Sequence, residues 1–128
     1  MREIEFRGYN EYHDEWFFGS YVDGYIIDGV VEANEEYIVI ENWVPVEKES
    51  IGRFTEIKDK NGVEIYEGDI ISAGFIYDYQ VIIEDGHVKG VYKSKATLDE
   101  QLLFQEDIDD SGYEIIGNIY ENPELLNS

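Results

Sequence analysis

Residues 52–71 carry the pattern of a complete β-hairpin, and they read Gly52-Arg53-Phe54-Thr55-Glu56-Ile57-Lys58-Asp59-Lys60-Asn61-Gly62-Val63-Glu64-Ile65-Tyr66-Glu67-Gly68-Asp69-Ile70-Ile71. The pair Asn61-Gly62 lies between two runs that are rich in β-branched and aromatic residues. A two-residue type I′ turn needs a positive φ at both central residues, and Asn followed by Gly adopts that backbone with little strain. We therefore predict that residues 54–58 pair with residues 63–66 across a tight turn.

Three further pairs of Asp and Gly mark predicted hairpin turns, at Asp23-Gly24, Asp28-Gly29 and Asp85-Gly86. Around the last of these pairs, residues 80–84 are predicted to pair with residues 87–92. Runs of β-branched and aromatic residues predict other strands, at residues 4–7, 16–22, 25–31, 37–40, 69–73 and 113–120. The chain is therefore expected to be mainly β.

Helix is expected in only two places. Thr97-Leu98-Asp99-Glu100 has the spacing of a capping box, in which the Thr97 hydroxyl accepts from the Glu100 amide and the Glu100 carboxylate reaches back. This helix would end near residue 105. Its apolar face would consist of Leu98, Leu102 and Leu103. Pro123, placed directly after Asn122, predicts a second helical turn over residues 122–126.

The short strands and tight turns from residue 44 onward predict a small, strongly bent sheet. Short antiparallel strands avoid exposed edges by curling into a barrel. A boundary is expected near Trp43-Val44-Pro45, where an acidic stretch gives way to hairpins. We therefore predict a β meander over residues 1–43 and a small barrel domain, with its C-terminal helical turn, over residues 44–128.

The composition is that of a folded protein. Of the 128 residues, 43% are hydrophobic and 15% aromatic, which is enough for a core and unlike a disordered acidic tail. The absence of cysteine excludes disulfides, thiolate metal sites and a cysteine nucleophile. Residues 2–7 lack the apolar core of a signal peptide, and no segment resembles a membrane span. A cytoplasmic location is therefore expected.

The charge is strongly negative, with nine Lys and Arg against thirty Asp and Glu and a net charge of −21. Two long stretches, residues 8–47 and 96–128, contain acids and neither Lys nor Arg. Nucleic-acid binding requires basic side chains that displace counterions from phosphates. Direct binding to nucleic acids or to anionic membranes is therefore not expected. The acidity either serves solubility alone or complements a partner protein with a basic surface.

Residues 107–112, Asp107-Ile108-Asp109-Asp110-Ser111-Gly112, partly match a calcium-binding loop. Oxygen ligands occupy the first, third and fifth places, and Gly occupies the sixth. The twelfth place needs a bidentate carboxylate but is Asn118. Asp107 and Asp109 are therefore weak metal-ligand candidates, and an ordinary acidic turn explains the stretch better.

His13 lies among carboxylates in Glu11-Tyr12-His13-Asp14-Glu15. Strand alternation would place Glu11, His13 and Glu15 on one side, where they would ligate a metal if a fourth group came from elsewhere. With no second His nearby, a solvated strand edge or turn is the better interpretation.

No pattern for catalysis or for a cofactor rises above background. The Ser residues lie in no nucleophile-elbow motif, no Gly-rich phosphate loop precedes a helix, and thirty acids make any pairing of carboxylates unspecific. We therefore expect no enzyme activity and no cofactor.

The aromatic residues are more numerous than a core of this size must hold. They are concentrated in two stretches and include Trp16, Phe17, Phe18, Tyr21, Tyr25, Phe75, Tyr77 and Tyr79. The part of this set that the core leaves out would form an exposed apolar patch, which usually marks a protein contact. Self-association is the simplest hypothesis for such a patch.

Two stretches together resemble the YopX family of small phage and prophage proteins. They are the hairpin that contains Lys58-Asp59-Lys60-Asn61-Gly62 and the C-terminal segment Gly117-Asn118-Ile119-Tyr120-Glu121-Asn122-Pro123. The start of the chain, residues 2–7, fits the family as well. One departure is Glu56-Ile57, which stands where the family often has Gly-Leu.

The resemblance implies a mainly β fold with an SH3-like barrel in the C-terminal part, a phage or prophage origin, a cytoplasmic location and a homo-oligomer. It implies no reaction and no catalytic residues. The first hypothesis is therefore a non-enzymatic phage accessory protein that acts through protein contacts. The alternative is an acidic nucleic-acid mimic that inhibits a DNA-binding protein, and a metal-dependent enzyme is the weakest hypothesis.

Overall fold

The computed structural model describes residues 5–33, 38–74, 77–94 and 96–126. The chain divides into two compact units, Met1–Arg53 and Phe54–Ser128. The prediction of a mainly β chain is confirmed, because the described residues hold eleven strands, one α-helix and two 3-10 turns.

The first unit is an antiparallel sheet. Its elements are β1 (Phe6–Asn10), β2 (Glu15–Val22), β3 (Tyr25–Ala33), β4 (Ile38–Pro45) and a 3-10 turn (Lys48–Ser50). The strands lie in the order β4-β3-β2-β1, and β1 also pairs with the first two residues of β5 (Gly52–Lys58). Residues 43 and 44, where the sequence suggested a boundary, both lie within β4.

The two Asp-Gly pairs of this unit differ in structure. Asp23 and Gly24 have φ of 46° and 91° and form the predicted turn between β2 and β3. Asp28-Gly29, by contrast, lies inside β3, where Asp28 pairs with Asn42 of β4, so the prediction of a turn there is wrong. The turn at Asp23-Gly24 has already reversed the chain, and β3 continues without a break to pair with β4.

The second unit contains the end of β5, a five-stranded sheet and the α-helix. Its further elements are β6 (Glu64–Tyr66), β7 (Asp69–Ser72), β8 (Tyr79–Glu84), β9 (His87–Lys93), β10 (Leu98–Leu102), α1 (Gln105–Ser111), β11 (Glu114–Asn118) and a 3-10 turn (Pro123–Leu126). The sheet order is β10-β9-β8-β7-β11, and every pair is antiparallel.

The predicted barrel in this unit is not confirmed. In the described part of the sheet, β10 and β11 are the two edge strands and do not pair with each other, so the sheet is open. The pairing of β11 with β7 contains an irregularity of register between Ile115 and Gly117. A sheet can curve at such a bulge without closing.

Most predicted strands are confirmed, with ends that differ by a few residues. The hairpins β5–β6 and β8–β9 pair as expected, with Ile57 opposite Ile65 and Val81 opposite Gly90. The predicted strands at residues 16–22, 25–31, 69–73 and 113–120 correspond to β2, β3, β7 and β11. The predicted strands at 4–7 and 37–40 begin at Ile4 and Tyr37, which lie outside the described residues, and they continue as β1 and β4.

The helix predicted from Thr97 is wrong, because residues 98–102 form the edge strand β10. The α-helix begins later, at Gln105, where the Asp107 carboxylate accepts a hydrogen bond of 2.9 Å from the Phe104 amide. The Asp107 carboxylate thus provides, at the start of α1, the side-chain cap that the sequence predicted at Thr97. The helical turn predicted over residues 122–126 is confirmed as the 3-10 turn Pro123–Leu126.

The core of the second unit combines aliphatic side chains with tyrosines. The fully or almost fully buried aliphatic members are Ile57, Ile65, Ile71, Val81, Leu103 and Ile108. The Tyr79 hydroxyl donates a hydrogen bond of 2.6 Å to Asp99. Burial, and then this bond, raise the pKa of the Tyr79 phenol well above its ordinary value. The ring of Tyr79 also meets that of Tyr113 edge-on, so a polar contact is held inside an apolar cluster.

The loop at Asn61-Gly62 is organised by one buried carboxylate. Asp59 is 5% exposed and accepts hydrogen bonds from the backbone amides of Asn61 (2.8 Å), Val63 (2.9 Å) and Ile115 (3.1 Å). Gly62 has a φ of 81°, whereas Asn61 is not among the described residues with positive φ. The turn is therefore longer than the predicted two-residue type I′ turn. Its carboxylate joins the β5–β6 hairpin to the start of β11.

The C-terminal signature is a second hydrogen-bonded turn. The Asn118 side-chain oxygen accepts from the amides of Tyr120 (3.0 Å) and Glu121 (2.8 Å), and the Asn122 oxygen accepts from the Asn118 amide (3.2 Å). A Cβ at Gly117 would lie 2.7 Å from the Asn122 oxygen, so only glycine leaves room for this turn.

Strand β5 contains a bulge at residues 55–56, where the register with β6 shifts between Phe54 and Ile57. The Thr55 hydroxyl fixes the bulge by donating to the Ile65 carbonyl (2.7 Å) and accepting from the Ile57 amide (3.2 Å). Glu56 consequently has a φ of 68°, in the left-handed region that favours glycine. A side chain in that region costs about 1–2 kcal/mol.

We expect Glu56→Gly to raise the free energy of unfolding by about 0.5–1 kcal/mol, since relief of the strain exceeds the entropy that a glycine loses on folding. Urea unfolding followed by far-ultraviolet circular dichroism measures this change. Glu56→Ala is the matched control, because it removes the carboxylate but keeps a Cβ. An equal gain in both variants would contradict an origin in backbone strain.

Candidate functional site

One side of the first unit's sheet carries a row of exposed and half-buried apolar side chains. The register places Val22 opposite Tyr25, Tyr25 opposite Pro45 and Ile27 opposite Trp43, so these residues share a side. Alternation along β2 adds Trp16 and Phe18 to that side. We call this surface the aromatic face and define it by Trp16, Phe18, Val22, Tyr25, Trp43 and Pro45.

The aromatic face is open to solvent to an unusual degree for its composition. Phe18 is 46% exposed, Tyr25 is 41% exposed and Trp43 is 51% exposed. Tyr25 and Trp43 meet edge-on at 6.0 Å, and the Arg7 guanidinium lies 4.7 Å from the centre of the Trp16 ring. Contiguous apolar surface of this kind usually marks a contact with another molecule.

Around the aromatic face, the strand positions on this side within residues 6–10, 15–22, 25–27 and 43–45 hold no acidic residue, and strand alternation returns to this side at Glu41, farther along β4. Besides the aromatic face, those positions hold Arg7, Tyr9, Ser20 and Ile27. In a chain with thirty acids among 128 residues, the part of this side around the aromatic face is therefore poor in negative charge. Depletion of charge together with enrichment in aromatic residues is typical of the centre of a protein interface.

The structure shows which of the described aromatic residues belong to a core and which are exposed. Phe17 and Tyr21 lie on the opposite side of β2 from Phe18, and Tyr21 contacts Phe6 at 6.0 Å. Tyr77 and Tyr79 belong to the core of the second unit, where Tyr77 stacks on Tyr92 at 4.1 Å. Phe75 lies outside the described residues. Trp43 is exposed as well, although the sequence indicated it as a boundary residue and not as part of an apolar patch.

The second unit has a cavity of about 270 Å³ that the sequence did not indicate. Three segments line it: the bulge of β5 (residues 55–57), the turn between β8 and β9 (residues 86–88) and the link from β10 into α1 (residues 102–105). Most of its walls are apolar, and the acidic member is Glu56. Phe104 stands beside it with 59% of its surface exposed.

Gln105 fixes the wall of this cavity to β5. Its side-chain oxygen accepts a hydrogen bond of 2.9 Å from the Lys58 amide, and its side-chain nitrogen donates one of 2.8 Å to the Lys58 carbonyl. The same nitrogen lies 3.0 Å from Asp109. The start of α1 is thus held against the strand by a two-point contact.

The two weak metal candidates in residues 107–112 lie in a helix. Asp107 caps α1 through the Phe104 amide, and Asp109 accepts from Gln105. Gly112, with a φ of 74°, ends the helix at the place where the calcium pattern needed a bend. The stretch is therefore neither a calcium loop nor the acidic turn that the sequence favoured, since residues 105–111 form a helix.

His13 lies in the turn between β1 and β2 and not on a strand, so the expected alternation of Glu11, His13 and Glu15 is wrong. Its amide donates to the Asn10 side chain (2.7 Å), and its ring meets Tyr12 edge-on at 5.2 Å. Within the ranges that the structure describes, no three His, Asp or Glu side chains are grouped to hold a metal ion.

The topology defines a small, mainly β protein with two units. A family model described as YopX protein matches residues 5–127, and the chain belongs to that family. Among solved structures, the chain is similar to the crystal structure of protein EF1440 from Enterococcus faecalis, with 27% identity and a TM-score of 0.52. That similarity covers 97% of this chain and 98% of the other.

Comparison with curated proteins yields no match. Neither the description of the family nor that of EF1440 names a reaction, a ligand or a partner. No helix in the described residues is long and apolar enough to cross a membrane.

Proposed function

We propose that this chain is a non-enzymatic accessory protein that works through protein contacts, and that its aromatic face joins it to a second copy of itself. The observation that carries the proposal is the exposure of Phe18, Tyr25 and Trp43 together on one side of the sheet, in a face whose defining residues include no acid. Large aromatic side chains contribute most of the binding energy at protein interfaces. The family resemblance supports a phage or prophage origin and a role in the host cytoplasm.

The net charge of −21 makes self-association depend on where two copies meet. Like charges repel over about 10 Å at moderate ionic strength. Two copies therefore approach at the lowest cost through the aromatic face, whose six residues include no acid. Added salt screens the remaining repulsion, so this contact should strengthen as the salt concentration rises.

We expect Trp43→Glu to weaken self-association at least tenfold, because it removes the most exposed aromatic ring of the face and adds a negative charge at its place. Analytical ultracentrifugation over a range of protein and salt concentrations measures the dissociation constant. Tyr12→Ala is the matched control, since Tyr12 is 92% exposed in a turn outside the aromatic face. A wild-type chain that stays monomeric at every concentration, or a variant that associates equally well, would refute the contact.

Nucleic-acid mimicry is the second candidate, and the two long stretches without Lys or Arg favour it. A mimic binds a DNA-binding protein through carboxylates, so DNA competes with it and its complex weakens steeply with salt. Capture of partners from host lysate at low and high salt, followed by a challenge with DNA, separates the two. Release of a DNA-binding protein by both treatments supports mimicry, and a salt-resistant contact that DNA leaves unchanged supports the aromatic face.

A further inference from the structure

The cavity of the second unit combines apolar walls with one carboxylate that the fold does not use. Ile57, Val88 and Leu102 contribute apolar lining, and the exposed residue Glu56 contributes the acid. Thr55, His87 and Gln105 are the polar members of the lining. In the described part of the chain, the Glu56 carboxylate forms no hydrogen bond or ion pair. Its backbone is held at a φ of 68°, where a glycine would remove the strain. Strained residues of this kind are concentrated at binding sites.

Strand β10 has an open backbone edge that leads to the cavity. The Ser94 amide donates to the Thr97 carbonyl (2.8 Å), and the Leu103 amide donates to the Val88 carbonyl (2.9 Å). In an antiparallel pair, hydrogen-bonded and non-hydrogen-bonded positions alternate. The odd-numbered residues of β10 therefore bond to β9, and the backbone groups of Leu98, Glu100 and Leu102 point away from it.

The outward side of β10 is also exposed in its side chains. Leu98 is 62% exposed, Leu102 is 46% exposed, and Glu100 lies between them. Asp99 and Leu103, by contrast, face the core, where Asp99 binds the Tyr79 hydroxyl. Gln101, between them, is exposed. An edge strand with outward backbone groups and exposed side chains is the arrangement by which domains bind an extended peptide.

We propose that the second unit binds an extended segment of a partner protein as an additional strand along β10, with a Lys or Arg side chain of that segment in the cavity. A long basic side chain places its methylene groups against apolar walls and its charge near a carboxylate. The cavity, at about 270 Å³, is smaller than the roughly 300–1,000 Å³ of pockets that hold drug-sized molecules, which suits a single side chain.

Charge complementarity selects a basic partner over a second copy of this chain. Two copies of β10 paired antiparallel about Glu100 would place Glu100 opposite Glu100, and like charges directly opposite are destabilising. A segment of another protein avoids this repulsion when it meets Leu98 and Leu102 with apolar side chains and carries its basic residue past Leu102, at the end of β10 where the cavity lies. This site belongs to the second unit, whereas the aromatic face belongs to the first, so each assignment can fail without the other.

The test uses fluorescent heptapeptide libraries in which the central residue is fixed as Lys, Arg, norleucine or Glu and the other positions are randomised. The protein carries Trp43→Glu so that the aromatic face does not contribute. We expect the Lys and Arg libraries to bind at least tenfold more tightly than the norleucine library, which keeps an unbranched stem without the charge. Fluorescence anisotropy measures the affinities, and amide resonances of Leu98, Glu100 and Leu102 report the place of binding.

Glu56→Gln should reduce the tenfold preference for Lys over norleucine to nearly none, because it removes the charge and leaves the backbone and size unchanged. Glu124→Gln is the matched control, an exposed acid of the same unit that should keep the preference. The proposal is overturned if no library binds, if Lys and norleucine bind equally, if the preference survives Glu56→Gln, or if the β10 resonances do not move.

Discussion

Replacement of Asp59 by alanine is expected to remove about 3–5 kcal/mol from the free energy of unfolding of the second unit. The buried carboxylate accepts three backbone hydrogen bonds, from Asn61, Val63 and Ile115. Loss of the acceptor leaves these amides without a partner, and hydrogen bonds to a charged group contribute about 1.5–3 kcal/mol each without full additivity. A unit of this size has a total stability on the order of 4–11 kcal/mol, so much of it would be lost.

Amide hydrogen exchange at Ile65 and Ile71, two buried residues of this unit, measures the effect. Asp110→Ala is the control, because Asp110 is an exposed acid on α1. Asp59→Asn should lie in between, since its oxygen replaces the acceptor of Asn61 and Val63 but its amide group cannot accept from Ile115. A loss below 1 kcal/mol in Asp59→Ala would show that water replaces the carboxylate.

The second large effect is expected in the first unit, where Gly19→Ala should cost about 2–3 kcal/mol. A Cβ at Gly19 would overlap the backbone carbonyl oxygen of Ile27 on the neighbouring strand. A backbone atom cannot rotate away as a side chain can, so β2 and β3 would have to separate locally. Insertion of one carbon into a fully packed place costs in this range.

Tryptophan fluorescence during urea unfolding isolates this change, because Trp16 and Trp43 both lie in the first unit and are the two tryptophans of the chain. Ser20→Ala is the matched control at the next, exposed position of β2. Equal midpoints for the wild type and Gly19→Ala would mean that the strand accommodates a methyl group and that the close approach is not limiting.

The hairpins could be predicted because a tight turn depends mainly on its own two central residues. Asp23-Gly24 and Asp85-Gly86 supply positive φ at both positions and reverse the chain wherever they meet strand-forming runs. The same rule failed at Asp28-Gly29, since the pairing of β3 with β4 determines that backbone. An Asp-Gly pair favours a turn, but pairing with a neighbouring strand determines whether the turn forms.

Strand β10 could not be predicted for the same reason. Thr97 and Glu100 have helix-capping spacing, and the leucines fit a helical face as well as a strand. The deciding interaction is the pairing of residues 98–102 with β9, a tertiary contact that overrides the local preference. The capping carboxylate that does act, Asp107, lies in the stretch that the sequence indicated as an ordinary acidic turn with a partial match to a calcium loop.

The aromatic excess was visible in the sequence, but the face was not. Strand register determines which residues belong to the aromatic face. Phe18 and Tyr21 of β2 lie on opposite sides of the sheet, and Phe18 shares its side with Trp43 of β4. The cavity depends on three segments that are far apart in sequence. One signal for it was available, because Glu56 stands where the family often has Gly and the structure holds it at positive φ.

The family signatures have a structural origin. Asp59 organises the loop that joins β6 to β5 and β11, and Asn118, Asn122 and Gly117 build the C-terminal turn. The residues that identify the chain as a member of the YopX family are therefore those that form these two turns. The aromatic face and the cavity lie outside these signatures, so relatives with the same turns can differ in what they bind.

The contact between Gln105 and Lys58 has a consequence for solubility. The side-chain amide offers one acceptor and one donor in the same geometry as a residue of an adjoining strand. It therefore occupies the backbone groups of Lys58 that would otherwise act as a template for a foreign strand. One glutamine thus closes the end of β5 to pairing with a foreign strand.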